Sequence, residues 1–320
     1  MLYPALVQAV TLRSFGGPEQ LRLDEVDDPV PGPGQVRISV RAAGVNPVDV
    51  GNRVDGSWAG LAVPCVLGYD VAGVIESAAP DVHGLATGDR VMAMTHFPAG
   101  AGGYAELAVV AADLVAPIAA GTSFADAAAT PLAGGTAAIL LDRLALPRGS
   151  MLLVLGGSGG VGLFLLQLAA RRGVAAIGVG RPAMHAKMRA LGAVGCADYT
   201  IGDVGGQATA LAGGPVDAIA DLIGGPHAMA ALAALRPGGQ IASIATPELD
   251  IDPLIDANTT FHGVLIGDDG QRTGSLARLL ASGELRPAIS HVLPLADAAQ
   301  AHRIQEAGHA GGKIVLSVAG

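Results

Sequence analysis

A glycine-rich turn is the part of this sequence whose residue types and spacing most directly indicate chemistry. Gly157, Gly159 and Gly162 match the pattern G-x-G-x-x-G. Glycines at these places permit a tight turn, let the backbone approach a pyrophosphate group, and let a helix pack closely against a strand. The N–H groups and the positive dipole end of that helix would then bind the phosphates. The pattern therefore predicts a dinucleotide site.

The segments on both sides of the turn have the patterns that such a site needs. Residues 151–155 form a short, continuous apolar run, which is typical of a strand buried on both faces. Residues 163–173 are typical of a buried helix that ends with two arginines and a glycine. A glycine turn with a purely structural role would not need these flanks, so we favour the dinucleotide site.

The end of the next predicted strand indicates which dinucleotide binds. This strand, residues 174–179, is followed by Gly180 and Arg181, whereas a site for NAD usually has Asp or Glu here to bind the ribose hydroxyls. A carboxylate would repel a 2′-phosphate, but an arginine can bind one through two hydrogen bonds. Lys187, in the first turns of the next helix, and Tyr199, at the end of the third strand, could reach the same phosphate. The sequence therefore predicts NADPH rather than NADH.

Composition and charge exclude several classes of partner. The chain has 320 residues, with 19 basic and 28 acidic side chains and a net charge of −9, which argues against nucleic acid or an anionic membrane as a partner. Residues 151–170 are uncharged, but the glycines at their centre argue against a membrane span. The first 15 residues lack the basic start, apolar core and cleavage site of a secretion signal. We therefore expect a cytoplasmic protein.

The cysteine content argues against a structural metal site. Cys65 and Cys196 are far apart, and no C-x-x-C spacing occurs. A four-cysteine zinc site is therefore excluded. We expect both cysteines to be small buried hydrophobic residues.

The pattern of elements changes near residue 122, which predicts two domains. Before this point, apolar runs such as residues 35–40 alternate in period two between Pro/Gly turns. After it, Ser123 is a predicted helix N-cap, and strands alternate with helices. Strands are predicted at 151–155, 174–179, 194–199, 216–221, 240–245 and 261–266, and helices at 135–144 and 273–282 among others. Six strands with helical crossovers predict a doubly wound parallel α/β fold.

The end of the chain has β character again. The apolar run at residues 314–318 is predicted to return to the first domain. That domain is then discontinuous, and we expect the active site in the cleft between the two domains.

Several segments of the first domain are not explained by folding alone. They are residues 44–49, 64–73 and 102–106, and they occur together with residues 88–91, 133–137, 312–316 and the glycine turn. In combination the chain resembles the zinc-independent quinone oxidoreductases, the zeta-crystallin-like branch of the medium-chain dehydrogenase/reductases. The resemblance covers essentially the whole chain. It implies a six-stranded Rossmann domain at residues 122–284 and a discontinuous, mainly β, GroES-like catalytic domain at residues 1–121 and 285–320.

The resemblance implies an enzyme that transfers hydride from NADPH to a quinone or another α,β-unsaturated carbonyl compound. Zinc-using relatives have Cys where Asn46 stands, and Gly-His-Glu where this chain has Gly68, Tyr69 and Asp70. Neither Asn46 nor Tyr69 is a credible zinc ligand. Catalysis is therefore expected to use no metal and to depend on positioning and on hydrogen-bond donors for the developing oxyanion.

The resemblance also implies catalytic residues. The amide of Asn46 would border the pocket and donate to the substrate carbonyl, although a turn residue before proline is the alternative. Tyr69 and Tyr104 are the phenols that could supply a proton, and each could instead be a packed core residue. Trp58, the only tryptophan, is either a wall of the pocket or simple packing.

Cofactor contacts are implied in the same way. Thr136 would lie near the nicotinamide and its phosphates, and the ends of the later strands would surround the nicotinamide ribose and ring. The expected cofactor contacts are Thr136, Ser158, Gly159, Gly160, Val161, Gly180, Arg181, Lys187, Tyr199, Leu222, Ile244, Ala245, Leu265, Ile266 and Gly267. His96, on a loop that would overhang the cleft, is a further candidate catalyst, and Lys313 is a further candidate for a cofactor contact.

Two other functions stay open. An enoyl-thioester reductase of a biosynthetic pathway would need a basic entrance for a carrier phosphate, and the first domain has no basic cluster. A protein that binds NADPH with little turnover would show binding but negligible hydride transfer. Whichever function is correct, the resemblance implies a homodimer. It would form by antiparallel pairing of the sixth strands, at residues 261–266, of two copies.

Overall fold

The structure is a computed structural model that describes residues 6–319. Its strands are β1 (Leu6–Leu12), β2 (Leu21–Asp27), β3 (Gln35–Val45), β4 (Cys65–Val66), β5 (Asp70–Ala78), β6 (Arg90–Met94), β7 (Leu107–Ala111), β8 (Val115–Pro117), β9 (Met151–Leu155), β10 (Ala175–Val179), β11 (Ala193–Ala197), β12 (Val216–Asp221), β13 (Leu235–Ser243), β14 (Thr260–Gly263), β15 (Ile289–Pro294) and β16 (Lys313–Ser317). Its helices are α1 (Pro47–Val54), α2 (Phe124–Ala128), α3 (Pro131–Leu144), α4 (Gly160–Arg172), α5 (Pro182–Ala190), α6 (Val204–Ala212), α7 (His227–Ala231), α8 (Asp252–Asp256), α9 (Gly270–Ala281) and α10 (Ala298–Glu306).

The chain divides into two compact units. The first comprises Met1–Gly135 and Gly267–Gly320, and the second comprises Thr136–Ile266. No helix within residues 6–319 is both long and apolar enough to cross a membrane.

The first unit is mainly β. Its larger sheet has the order β15-β16-β3-β5-β6-β8, with β7 also paired to β3, and a smaller sheet has the order β2-β1-β4. Burial alternates along β3 as far as Ala42, as a strand with one face on the core requires. The antiparallel register sets Gly44 opposite Asp70 and Ile314 opposite Val45. The C-terminal strand therefore lies beside β3, whose end leads into α1.

The second unit is a doubly wound parallel sheet, which confirms the predicted fold class. Its strand order is β11-β10-β9-β12-β13-β14, and every pair in it is parallel. The order reverses at β9, so the loops after β9 and β12 flank the place where such sheets bind ligands. Helix α4 ends with two arginines, and Gly173 caps it with a φ of 74°, as the sequence predicted.

Several boundaries differ from the prediction. Strand β13 begins at Leu235, β14 ends at Gly263, and α3 begins at Pro131, because backbone pairing and proline set these ends more strongly than apolar runs do. Residues 122–135 and 267–284 lie in the first unit rather than the second. They do so because α2 packs against β3 and β5, and α9 packs against β6 and β8.

Candidate functional site

The three glycines of the turn after β9 have three different structural environments. A Cβ at Gly157 would lie 2.9 Å from the Cα of Gly178, so this glycine permits the close approach of β9 and β10. A Cβ at Gly162 would overlap the carbonyl oxygen of Gly156, so this glycine permits α4 to pack against the turn. A Cβ at Gly159 would meet no atom closer than 3.4 Å, and the residue is exposed. Gly159 therefore leaves the backbone open to a ligand.

The first turn of α4 presents its backbone N–H groups beside this open glycine. Gly159 is the N-cap, and the first helical hydrogen bond runs from the N–H of Leu163 to the carbonyl oxygen of Gly159, at 3.0 Å. The N–H groups of Gly160 and Val161 precede that bond and lie at the positive end of the helix. This arrangement binds phosphate.

The loop after β10 lies directly against the glycine turn. A Cβ at Gly180 would be 3.0 Å from the Cβ of Ser158. The next residue, Arg181, is exposed, and its Nε donates a 2.6 Å hydrogen bond to the hydroxyl of Tyr199. Two of the three residues that the sequence assigned to the 2′-phosphate site, Arg181 and Tyr199, are thus in contact.

Two details of this region differ from the sequence prediction. Lys187 is exposed and lies in the last turn of α5 rather than in its first turns, because α5 has only nine residues. Tyr199 begins a short 3₁₀ turn after β11 instead of ending the strand, since Asp198 caps that turn through the N–H of Thr200.

The ends of β12 and β13 are joined by a buried carboxylate. Asp221 accepts hydrogen bonds from the N–H groups of Ile223 and Gly224, at 3.1 and 3.0 Å, and from the hydroxyl of Ser243, at 3.0 Å. These bonds fix the loop that contains Leu222. Sequence reasoning missed Asp221, although an acidic residue that ends an apolar strand before two glycines was a usable signal.

The remaining expected cofactor contacts lie at strand ends or in α3. Ile244 donates its N–H to the carbonyl oxygen of Asp221, at 3.1 Å, and Ala245 follows it. The segment 265–267 lies beyond β14, with Ile266 buried and the residues on both sides of it, Leu265 and Gly267, exposed. Thr136 is buried in α3.

In the first unit, the structure assigns Asn46 to a buried polar cluster. Its backbone N–H donates to Oδ2 of Asp49, at 2.8 Å, and its side-chain Nδ2 donates to Oδ2 of Asp70, at 2.9 Å. The ammonium group of Lys313 donates to Asn46 Oδ1 and, at 3.0 Å, to the carbonyl oxygen of Val45. Asn46 is only 1% exposed. Both ends of its amide are bound to protein, which differs from the expected donation to a substrate.

The carboxylate of Asp70 joins this cluster to a helix. Its Oδ1 accepts the N–H of Leu132 in the first turn of α3, at 2.8 Å, and its Oδ2 lies 3.6 Å from Nζ of Lys313. A Cβ on Gly44, opposite Asp70 in the sheet, would lie 2.9 Å from the same carboxylate. Gly44 therefore leaves the space that Asp70 occupies.

Burial dominates the electrostatics of the cluster. It raises the pKa of Asp70 and lowers the pKa of Lys313, while the opposite charge of each partner counteracts the other's shift. The pKa of Asp49 is raised to about 7, mainly by burial and further by repulsion from Asp70. Opposite charges at this spacing are the arrangement that makes burial tolerable.

Both candidate phenols have structural contacts. The hydroxyl of Tyr69 accepts from Nδ2 of Asn52, at 2.7 Å, and donates to the carbonyl oxygen of Pro98, at 2.5 Å. The hydroxyl of Tyr104 lies 3.3 Å from Nε2 of His302, and its ring is fully enclosed in the core of the first unit. Burial raises the pKa of both phenols. These environments differ from the expected role of proton donor.

An aromatic row lies beside Tyr69. The ring of Phe97 is 5.0 Å from that of Tyr69 and 6.1 Å from that of Trp58. Trp58 is 53% exposed, so it packs on one side only. Asp268 holds the loop that contains His96 and Phe97. Its carboxylate pairs with His96 and accepts the N–H of Phe97 at 2.8 Å.

The described residues do not provide a zinc site. Within residues 6–319 no group of three or more His, Cys, Asp or Glu side chains is placed to hold a metal ion. At Asn46, where zinc-using relatives have a cysteine, the nearest charged donor is the ammonium group of Lys313. A cation that is part of the chain therefore lies against these oxygen atoms, and the donor set does not fit zinc.

Comparisons with known proteins agree with this fold. The family model described as "Alcohol dehydrogenase GroES-like domain" matches residues 32–120, and the one described as "Zinc-binding dehydrogenase" matches residues 191–316. Quinone oxidoreductase of Mus musculus is 32% identical, with 97% of this chain and 98% of the relative covered.

Solved structures are similar over nearly the whole chain. An NAD-dependent alcohol dehydrogenase has a TM-score of 0.90 at 30% identity, covering 98% of this chain and 100% of the other. A mycobacterial protein solved in complex with NADPH has a TM-score of 0.87 at 30% identity, covering 97% and 99%. Structures of this fold are thus described with either cofactor, so the choice depends on residues of this chain.

Proposed function

We propose a function from the premise that this chain belongs to the zeta-crystallin-like, quinone oxidoreductase branch of the medium-chain dehydrogenase/reductase superfamily. It is an NAD(P)H-dependent oxidoreductase. The specific activity that we propose is metal-independent hydride transfer from NADPH to a quinone or another α,β-unsaturated carbonyl compound. The observation that carries the cofactor choice is the bond of Arg181 to Tyr199 beside the glycine turn.

The glycine turn and Arg181 would hold the two phosphate groups of the cofactor. The N–H groups of Gly160 and Val161, with Ser158 and the open Gly159, would bind the pyrophosphate. The bond from Nε of Arg181 to Tyr199 fixes the plane of the guanidinium group, which preorganises it for the 2′-phosphate. Lys187, in the last turn of α5, would add a further positive charge to the field around the cofactor.

Thr136 and the strand-end residues would hold the nicotinamide half of the cofactor. Most of the strand-end side chains are apolar, so they would shield the ring from water and favour hydride transfer over side reactions. Thr136 supplies a hydroxyl. The strand-end set comprises Leu222, Ile244, Ala245, Leu265, Ile266 and Gly267.

When bound, the cofactor supplies a hydride to the carbon conjugated with the substrate carbonyl. Conjugate addition breaks the C=C π bond and leaves an enolate, whose negative charge is shared by the carbonyl oxygen and the α carbon, so one proton must then be added at one of these atoms. The hydroxyl of Tyr69 donates to Pro98, and Tyr104 is enclosed. We therefore propose that the proton comes from solvent rather than from either phenol.

The absence of a metal from the mechanism is also part of the proposal. Two features support this part of the proposal. Asn46 is not a zinc ligand, and the ammonium group of Lys313 donates to its side-chain oxygen. Positioning and hydrogen bonding then provide the catalysis.

We further propose a cytoplasmic homodimer that pairs through the edge of the second sheet. Strand β14 is the edge strand of that sheet, and Phe261 on it is 38% exposed. An edge strand has unpaired backbone N–H and C=O groups, which favour pairing with the same strand of a second copy about a twofold axis.

The test follows the loss of NADPH absorbance, with NADH in parallel, against an ortho-quinone and a simple enone. Turnover with NADPH that is insensitive to a metal chelator is expected. Tight NADPH binding without turnover on either acceptor would contradict the activity and favour a binding role. Equal use of NADH would contradict the assignment of Arg181.

A further inference from the structure

Three buried side chains of the first unit make a cluster that the proposed reaction does not use directly. The three side chains come from neighbouring strands of the larger sheet. Lys313 begins β16, Asn46 follows the end of β3, and Asp70 begins β5. None of the three side chains is more than 5% exposed. We refer to them as the buried triad.

The hydrogen bonds of the triad run from the donor Lys313, through the amide of Asn46, to the acceptor Asp70. Nζ of Lys313 donates to Asn46 Oδ1, and Asn46 Nδ2 donates to Asp70 Oδ2, at 2.9 Å. Asp70 Oδ1 then accepts the N–H of Leu132, at 2.8 Å. Each amide atom of Asn46 therefore has the partner that its chemistry requires, so the triad has a single hydrogen-bonding arrangement.

The last bond of this chain acts on the start of a helix. Leu132 is the second residue of α3, so its N–H precedes the helical ladder, whose bond from Gly134 to Thr130 measures 2.8 Å. A carboxylate at this place both satisfies the N–H and interacts favourably with the helix dipole. Asp70, at the start of β5, therefore caps the N-terminus of α3.

Helix α3 continues without a break from Leu132 to Thr136. Thr136, an expected contact of the nicotinamide and its phosphates, lies about one turn beyond Leu132. A change in the position of the first turn of α3 would thus be passed to Thr136 along a continuous helix.

We propose that Lys313, Asn46 and Asp70 act as positioning residues, which fix the first turn of α3 and thereby the place of Thr136 at the cofactor. The inference rests on the proposed NADPH-dependent function. Lys313 holds the amide of Asn46, Asn46 holds the carboxylate of Asp70, and Asp70 holds α3. None of the three needs to touch the substrate.

Chemical rescue of Lys313→Ala tests this directly. The substitution removes three methylene groups and the ammonium group, which together correspond to n-propylammonium. NADPH affinity is measured by titration calorimetry with and without n-propylammonium, and 1-propanol is the uncharged control. We expect the dissociation constant to rise about tenfold, since small displacements of a positioning group have effects of this size or larger. n-Propylammonium should restore the affinity, and 1-propanol should not.

Leu316→Ala is the matched control. Leu316 is a fully buried residue of the same strand, and it contacts the hydrophobic core rather than the triad. This variant should have a lower thermal midpoint but unchanged NADPH affinity in the folded protein. If Lys313→Ala folds and keeps wild-type affinity, or if the amine restores the thermal midpoint but not the affinity, the inference is wrong.

A second variant decides the question if Lys313→Ala is not obtained folded. Asp70→Asn with Lys313→Met removes both charges of the triad together, so neither of the two is left without its partner. A folded double variant with weaker NADPH binding supports the positioning role, and one with wild-type binding overturns it. Failure of the proposed activity is distinguished by the wild type, which would then bind NADPH but reduce neither acceptor.

Discussion

The hydroxyl of Tyr199 accepts a 2.6 Å hydrogen bond from Nε of Arg181. The two residues follow neighbouring strands, β10 and β11, and the bond holds an exposed guanidinium group next to the glycine turn. A cation fixed in this way favours a phosphate ester over a free hydroxyl group. The pair therefore provides a structural basis for cofactor selectivity.

Replacement of Arg181 by Ala should weaken NADPH binding and leave NADH binding unchanged. A charge-assisted hydrogen bond contributes about 1.5–3 kcal/mol, so the dissociation constant for NADPH should rise about tenfold to a hundredfold. Titration with both cofactors measures this. Arg172→Ala is the control, because Arg172 pairs with Asp142 on the surface of the same unit. Equal weakening for both cofactors would mean that Arg181 does not bind the 2′-phosphate.

The glycine turn allows binding and folding to be separated. Gly159→Ala places a methyl group where the nearest atom is 3.4 Å away, so the fold should tolerate it while the phosphate approach is obstructed. Loss of one or two phosphate hydrogen bonds should weaken NADPH binding about tenfold or more. Gly162→Ala instead overlaps the carbonyl of Gly156, and overpacking of this kind costs about 1–3 kcal/mol of unfolding free energy. Urea unfolding should show the larger loss of stability for Gly162→Ala, and NADPH titration should show the larger loss of affinity for Gly159→Ala. A Gly159→Ala protein with full affinity would contradict the proposed pyrophosphate site.

The parts of the site that could be predicted from the sequence are those formed by neighbouring residues. The glycine turn combines a strand end, a loop and a helix start within one short segment, and Arg181 follows the next strand directly. The buried triad could not be predicted, because Lys313 and Asn46 are 267 positions apart and meet only through the register of β16 with β3. The enclosed position of Tyr104 has the same cause, since α10 brings His302 to its ring.

Tyr69→Phe should retain hydride transfer. The hydroxyl hydrogen of Tyr69 is bound to the carbonyl oxygen of Pro98, so its removal should change kcat by less than about threefold, whereas loss of a general acid costs about 10²–10⁴-fold. The variant should still be less stable, because the amide of Asn52 loses its partner. Steady-state kinetics with the ortho-quinone, together with a thermal melt, measure both effects. A hundredfold lower kcat with unchanged NADPH affinity would restore Tyr69 as the proton donor.

Phe261→Glu should convert the dimer to a monomer. In a twofold strand pair each substitution brings two like charges together, and the exposed position of Phe261 lets the folded protomer accept the charge. Val292→Glu is the matched control, since Val292 is an exposed apolar residue on β15, at the edge of the other sheet. Sedimentation velocity should show a dimer for the wild type and the control, and a monomer for Phe261→Glu. A monomeric wild type would refute the proposed interface.

The pH dependence of stability should contain two opposing contributions. Asp49 has a pKa raised from 3.8 to about 7 by burial, so between these values the folded state binds a proton that the unfolded state has lost. Its contribution to stability is complete below pH 3.8 and is lost as the pH rises to about 7. His302 has a pKa lowered from 6.5 to about 3, by burial and then by Arg53, so here the unfolded state binds the extra proton. Its effect is the reverse, and stability increases as the pH rises from about 3 to 6.5.

Single substitutions should expose each contribution. Asp49→Asn removes one falling contribution, so between pH 4 and 6.5 the slope of its unfolding free energy against pH should be more positive than the wild-type slope, by up to about 1.4 kcal/mol per pH unit. His302→Gln removes the rising contribution, and its unfolding free energy should fall over the same interval. Asp70, Lys313 and Tyr104 face Asp49, and Arg53 and Tyr104 face His302, so all four are kept unchanged in both variants. Urea unfolding at half-unit steps of pH measures the slopes. Parallel slopes for the wild type and both variants would show that neither side chain changes its proton affinity on folding.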